Sequence, residues 1–199
     1  MLKRLPPALA IVLAATAPAF AHFDPHGHGS FFSGFTHPLL GLDHIVVMVA
    51  VGLWAATVGG RATAVIPAAF VGAMAIGYVL ALAGVALPFV EPVILASVVT
   101  LGLFIASAVR FPIPLATTLV GVFAIFHGQA HGEGLGAVTA LPYGIGFALA
   151  TTLLHAAGIG IGLLLVTGVG LGKTRAATLS RVLGGAGAAI GVALALGAG

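Results

Sequence analysis

Six apolar stretches of membrane-crossing length occupy most of this chain and leave it few ways to fold. A bilayer core takes about 20 apolar residues of helix per crossing. After a His-rich start, such stretches run over 38–58, 62–84, 92–109, 112–131, 141–168 and 178–198. Turn formers and the few charges stand between them: Gly59-Gly60-Arg61, the segment from Pro88 to Pro92 with Glu91, Arg110, the run from Gly132 to Gly136 with Glu133, and Gly170 through Arg175. The fifth stretch is long enough to tilt or to open with an interfacial turn near Pro142 and Tyr143. Seven Lys or Arg and four Asp or Glu make only 6% of 199 residues charged, against about 25% in soluble domains. So few charges cannot cover a water-exposed surface. The expected fold class is therefore all-α, a polytopic helix bundle of about six transmembrane helices embedded in a lipid bilayer. Soluble enzymes are excluded by the same count.

The first 21 residues read as a cleaved signal peptide. They have a basic start (Lys3, Arg4), an apolar stretch from Leu9 to Ala17, and a small-x-small ending at Ala19-Phe20-Ala21. Pro6, Pro7 and Pro18 leave that stretch too short to span. The expected organisation is a signal peptide at 1–21, a His-rich extracytoplasmic segment at 22–36, and a transmembrane bundle at 37–199. Removing the signal leaves five cations against four acids, so no basic patch for nucleic acid exists. With the mature N-terminus outside, Arg61, Arg110, Lys173, Arg175 and Arg181 all fall on the cytoplasmic side, as the positive-inside rule requires. The chain is thus expected in a bacterial inner membrane with both mature termini in the periplasm. The pairs Gly128-x3-Gly132, Gly158-x3-Gly162 and Gly187-x3-Gly191 read as close helix-packing sites.

The polar residues inside these spans carry the chemistry. A carboxylate a turn inside a membrane helix needs a partner or a cation, and Asp43 stands in the run His37-Pro38-Leu39-Leu40-Gly41-Leu42-Asp43-His44. Pro38 places His37 at the helix cap. On a straight helix His37 and His44 then lie about 10 Å apart along the axis, an entrance ligand and a deeper one. The fourth span closes Phe126-His127-Gly128-Gln129-Ala130-His131-Gly132-Glu133. Its two imidazoles are four residues apart, on one face, spaced as a chelating pair. Asp43, His44, His127 and His131 are expected to converge at one membrane depth, with His37 and Glu91 at the entrance and Glu133 within reach from a flexible turn. His22, His26 and His28 form a tract that can collect cations, and His155 is either a packing residue or an accessory ligand. Met48 reads as core filling. No Cys is present, so thiolate metal sites and disulfides are excluded. Gly170-Leu171-Gly172-Lys173-Thr174 resembles a phosphate-binding loop only at its end, because Thr167 stands where that motif needs its first Gly.

The run from His37 to His44, continued by Met48-Val49-Ala50-Val51-Gly52-Leu53-Trp54, closely resembles the HupE/UreJ family of nickel/cobalt permeases. Phe126-His127-Gly128-x-Ala130-His131-Gly132 resembles that family's second motif, and the likeness covers the whole chain. The chain departs from the family pattern at one point: the acid closing the second motif is Glu133, one residue earlier than the family position, here Gly134. The resemblance implies import of Ni²⁺ or Co²⁺ for metalloenzymes such as hydrogenase or urease, with the ion as cargo and no prosthetic group. Imidazole and carboxylate suit such borderline divalent ions independently of the likeness. An intramembrane zinc-dependent hydrolase is the competing class, since a His/Asp-held zinc activates water.

Overall fold

A computed structural model describes residues 31–133 and 137–197. Among them there are seven α-helices and no strand: α1 (Phe31–Leu40), α2 (Leu42–Val58), α3 (Ala62–Leu82), α4 (Val90–Ala106), α5 (Ile113–Gly132), α6 (Ala137–Thr167) and α7 (Lys173–Ala195). The apolar stretches become helices because lipid offers backbone groups no hydrogen-bond partner, so each segment satisfies its own. Proline opens α5, where its missing N–H would have been unpaired anyway. Gly59, at φ 85°, closes α2 with its N–H on the Ala55 carbonyl. Gly168 closes α6 in the same way, at φ 67°.

Four helical segments are long and apolar enough to cross a membrane: α3, α5, α7 and Ala140–Thr167 of α6. The pair α1 and α2 passes together as a fifth but is bent by 84° at its break. The sixth expected span is α4, which has 17 residues. At 1.5 Å per residue it reaches about 26 Å, short of a ~30 Å hydrocarbon core. By length and composition four to five of the six expected stretches are long enough to cross, and α4 is the short sixth helix of the bundle.

The first stretch departs most from its expected form. His37 does not cap a helix beginning at Pro38; both lie inside α1, and the break falls at Gly41. Tertiary packing overrides the local proline bias. Gly34 and Gly146 bring the backbones of α1 and α6 together: a Cβ on Gly34 would overlap the Tyr143 carbonyl, and one on Gly146 the Phe31 carbonyl. With α1 held against α6, its helix continues through Pro38 and turns only where Gly41 offers an extended residue.

Similar seams join the other helices. Gly128, on α5, meets the Met74 carbonyl of α3, and Gly77, on α3, meets that of Ile125. Gly52 of α2 sits on the His155 carbonyl of α6, and Gly158 of α6 on that of Val49. Gly102 and Gly184 join α4 to α7. In register, Val49 faces Gly158 and Leu53 faces Gly162, so α2 and α6 run parallel. So do α3 and α5, whereas α4 and α7 run antiparallel, with Gly102 against Ala188 and Ala106 against Gly184. The end of α2 meets that of α4 through Trp54, beside Phe104 and Val109, and its start meets the last turns of α5 through His44, so successive helices from α2 to α7 alternate in direction. Arg61, Arg110, Lys173, Arg175 and Arg181 gather at one end of the bundle, and the described acids Asp43, Glu91 and Glu133 at the other.

The interior is apolar and so is the outside. Trp54, Phe70, Met48, Leu101 and Val120 are fully buried, with Trp54 Nε1 donating to the Val109 carbonyl at 2.8 Å. Val79, Leu103, Val122 and Leu164 face outward. A bundle apolar on both faces is built for lipid.

Candidate metal centre

The bend at Gly41 folds α1 back over the start of α2, so His37 and His44 meet with ring centroids 5.8 Å apart. His131, in the last turn of α5, completes the group at 4.5 Å from His37 and 4.7 Å from His44. One ring nitrogen from each of the three lies within 4.8 Å of the others. His44 and His131 approach through their Nε2 atoms. Metal–imidazole bonds of about 2.0–2.1 Å place co-ligand nitrogens roughly 3–3.4 Å apart, a small ring rotation from this arrangement. His44 and His131 are buried and His37 is half-buried. The expected separation of His37 and His44 into an entrance ligand and a deeper one assumed an unbroken helix, and the bend removes it.

Asp43 stands behind this group. Its Oδ2 lies 2.8 Å from His44 Nδ1, within ion-pair distance, while His44 Nε2 faces His131. Gly41 leaves room for the pair: a Cβ there would stand 2.9 Å from Asp43 Oδ1 and 3.0 Å from His44 Nδ1. Phe147 lies 4.3 Å from the His131 ring and Tyr143 6.2 Å from that of His37, so aromatic rings of α6 wall one side.

The remaining candidates lie elsewhere. His127 does not pair with His131 in the three-nitrogen group. It sits one turn farther in, its ring 5.4 Å from His44, and its Nε2 is 3.1 Å from Ser97 Oγ on α4. Residues four apart share a helix face but differ by about 6 Å in height, and only the turn of His131 is level with the bend. His155 is held with Nδ1 2.7 Å from the Met48 carbonyl, and Met48 itself is core filling. Glu91, in the first turn of α4, and Glu133, just after α5, are exposed and outside the group. Glu133 Oε1 accepts a 3.2 Å hydrogen bond from Gln129 Nε2, which also donates to the Val85 carbonyl at 2.8 Å. His22, His26, His28 and the 1–21 segment lie outside the described residues.

Ser97, Gln129, Tyr143 and Phe147 were not singled out by sequence. Gln129 carried a signal, being the chain's single Gln, set between the two histidines of the second motif. Ser97 carried none, since a serine in an apolar helix ordinarily bonds its own preceding turn, as Ser97 also does with the Ile94 carbonyl.

A family model described as HupE / UreJ protein matches residues 9–194. The chain is 45% identical over 186 residues to Protein HupE of Rhizobium leguminosarum bv. viciae, covering 93% of this chain and 94% of that protein. No solved structure matches. With a match over nearly its whole length and two histidine motifs meeting at one end of a helical bundle, the chain belongs to the HupE/UreJ family.

Proposed function

We propose that this protein is a permease of the bacterial inner membrane that imports Ni²⁺ or Co²⁺, capturing the ion on His37, His44 and His131. The observation that carries this is the convergence of three imidazole nitrogens from α1, α2 and α5 at the acidic end of an otherwise apolar bundle. Membership of the HupE/UreJ family supports a metal permease role. Neutral imidazole suits borderline divalent ions, and Asp43, behind His44, offsets part of the positive charge.

The capture site faces the periplasm in this reading, because every described cation lies at the opposite end of the bundle. A signal peptide cleaved after Ala21 leaves both mature termini on that side, and His22, His26 and His28 concentrate ions near the entrance. Glu91 and Glu133 add negative potential there. The driving force is the membrane potential: about 100 mV, inside negative, contributes roughly 4.6 kcal/mol to inward movement of a dication. ATP has no part, since Gly170 to Thr174 forms a turn into α7 and follows no strand.

Three imidazoles with an open position also describe a hydrolytic zinc site. That chemistry needs a carboxylate base aimed at the metal, yet Asp43 is turned to His44 Nδ1 and Glu91 and Glu133 are exposed outside the cluster. Transport is the better reading. Purified protein in sealed, ATP-free proteoliposomes should accumulate radiolabelled Ni²⁺ or Co²⁺ under an imposed inside-negative potential and stop when it is dissipated. Uptake that required ATP, or none of either ion, would refute the reading.

A further inference from the structure

One turn inside the three-imidazole cluster, two more histidines hold bare nitrogens in the bundle interior. Their tautomers follow from their partners. Ser97 Oγ donates its only proton to the Ile94 carbonyl at 2.6 Å, so toward His127 Nε2, 3.1 Å away, it can only accept. Nε2 therefore carries the His127 proton and Nδ1 keeps a lone pair. The Met48 carbonyl likewise only accepts, so His155 Nδ1, 2.7 Å away, is protonated and Nε2 keeps the lone pair. Neither His127 Nδ1 nor His155 Nε2 has a hydrogen-bond partner, though these residues are 0% and 1% exposed. Native interiors rarely leave such atoms unused.

Two separate helices place these histidines at the same depth. Met48, the carbonyl partner of His155, follows His44 by four residues on α2. His127 precedes His131 by four on α5. Each step is about 6 Å along the axis, away from the cluster and toward the cationic end. Both rings pack on Phe70 of α3, with centroids 5.6 Å and 5.0 Å away. Val47 and Val51, close in sequence to Met48, and Ala124, one turn from His127, are fully buried and bring no polar side chain to this depth. A dication leaving the outer cluster into such surroundings must exchange one set of donors for another, because it cannot regain its water there.

We propose that His127 Nδ1 and His155 Nε2 form an inner transit site for a borderline divalent cation, one helical turn inside His37, His44 and His131. The site rests on the permease reading and adds to it the next donor set along the path. It is built across two bodies, His127 on α5 and His155 on α6, with hydrogen bonds to Ser97 and Met48 fixing which nitrogen of each ring is free.

Two substitutions remove the free lone pairs and keep the anchoring bonds. His155→Asn places an amide N–H where Nδ1 reaches the Met48 carbonyl, and His127→Gln places one where Nε2 reaches Ser97. Full-length protein would be titrated with Co²⁺, following the visible absorption of nitrogen-bound cobalt, and then tested for Co²⁺ uptake into proteoliposomes under an imposed potential. Both variants should bind Co²⁺ at the outer cluster within about threefold of the unmodified protein and lose about tenfold or more in uptake rate. Wild-type uptake in both variants would overturn the inner site alone. Parallel loss of Co²⁺ binding and of thermal stability in both would also overturn it, assigning the two histidines a packing role. Failure of the unmodified protein to bind or move Co²⁺ would overturn the permease reading, and this site with it.

Discussion

Replacing Asp43 by Asn keeps the shape of the side chain but removes the charge. The carboxylate oxygen stands 2.8 Å from Nδ1, and an ion on the far nitrogen of the same ring would sit about 7 Å from it. A single negative charge and a dication at that distance interact by about 5 kcal/mol at an effective dielectric near 20. The Asp43 side chain is 24% exposed, so solvent screening cuts this to about 2–3 kcal/mol. Asp43→Asn should therefore weaken Co²⁺ binding by about 30- to 150-fold, overlapping the range seen when a partner behind a metal ligand is lost. The assay is a Co²⁺ titration of purified protein, with the thermal midpoint measured on the same sample. A dissociation constant within about threefold of the unmodified protein, at unchanged stability, would show that Asp43 neither charges nor orients the site.

Two further outcomes follow from the seams and the charge pattern. Gly128→Ala drives a methyl group into the Met74 carbonyl and should lower the thermal midpoint by about 3–10 °C, whereas Gly72→Ala, with open space around it, should leave it unchanged; equal shifts would refute the seam. Reporter fusions after Arg61, Arg110 and Lys173 should report cytoplasm and a fusion after Glu91 the periplasm, and inversion at two of these sites would overturn the orientation.

The helices were legible because burying backbone in lipid demands long apolar runs, and these survive in one sequence without any relatives. The nearness of His44 to His131 was legible too, since both stand where adjacent spans meet the same surface. His37 was misplaced for a physical reason. Local rules see Pro38 and start a helix there, while the contact that decides the matter is Gly34 against the Tyr143 backbone, more than a hundred residues away. Ser97 was hidden because its role depends on which helix lies across from it. The length of α4 was overread at its C-terminal end, where the apolar pattern continues past Ala106 but the helix does not.

The glycine seams also divide the bundle mechanically. Helices α1, α2 and α6 are locked backbone to backbone as one jaw, and α3 with α5 as another. His37 and His44 ride on the first jaw and His131 on the second; farther in, His155 rides on the first and His127 on the second. Each donor set is therefore split across the same parting line. A motion that opens the jaws pulls both grips apart without breaking a single helix.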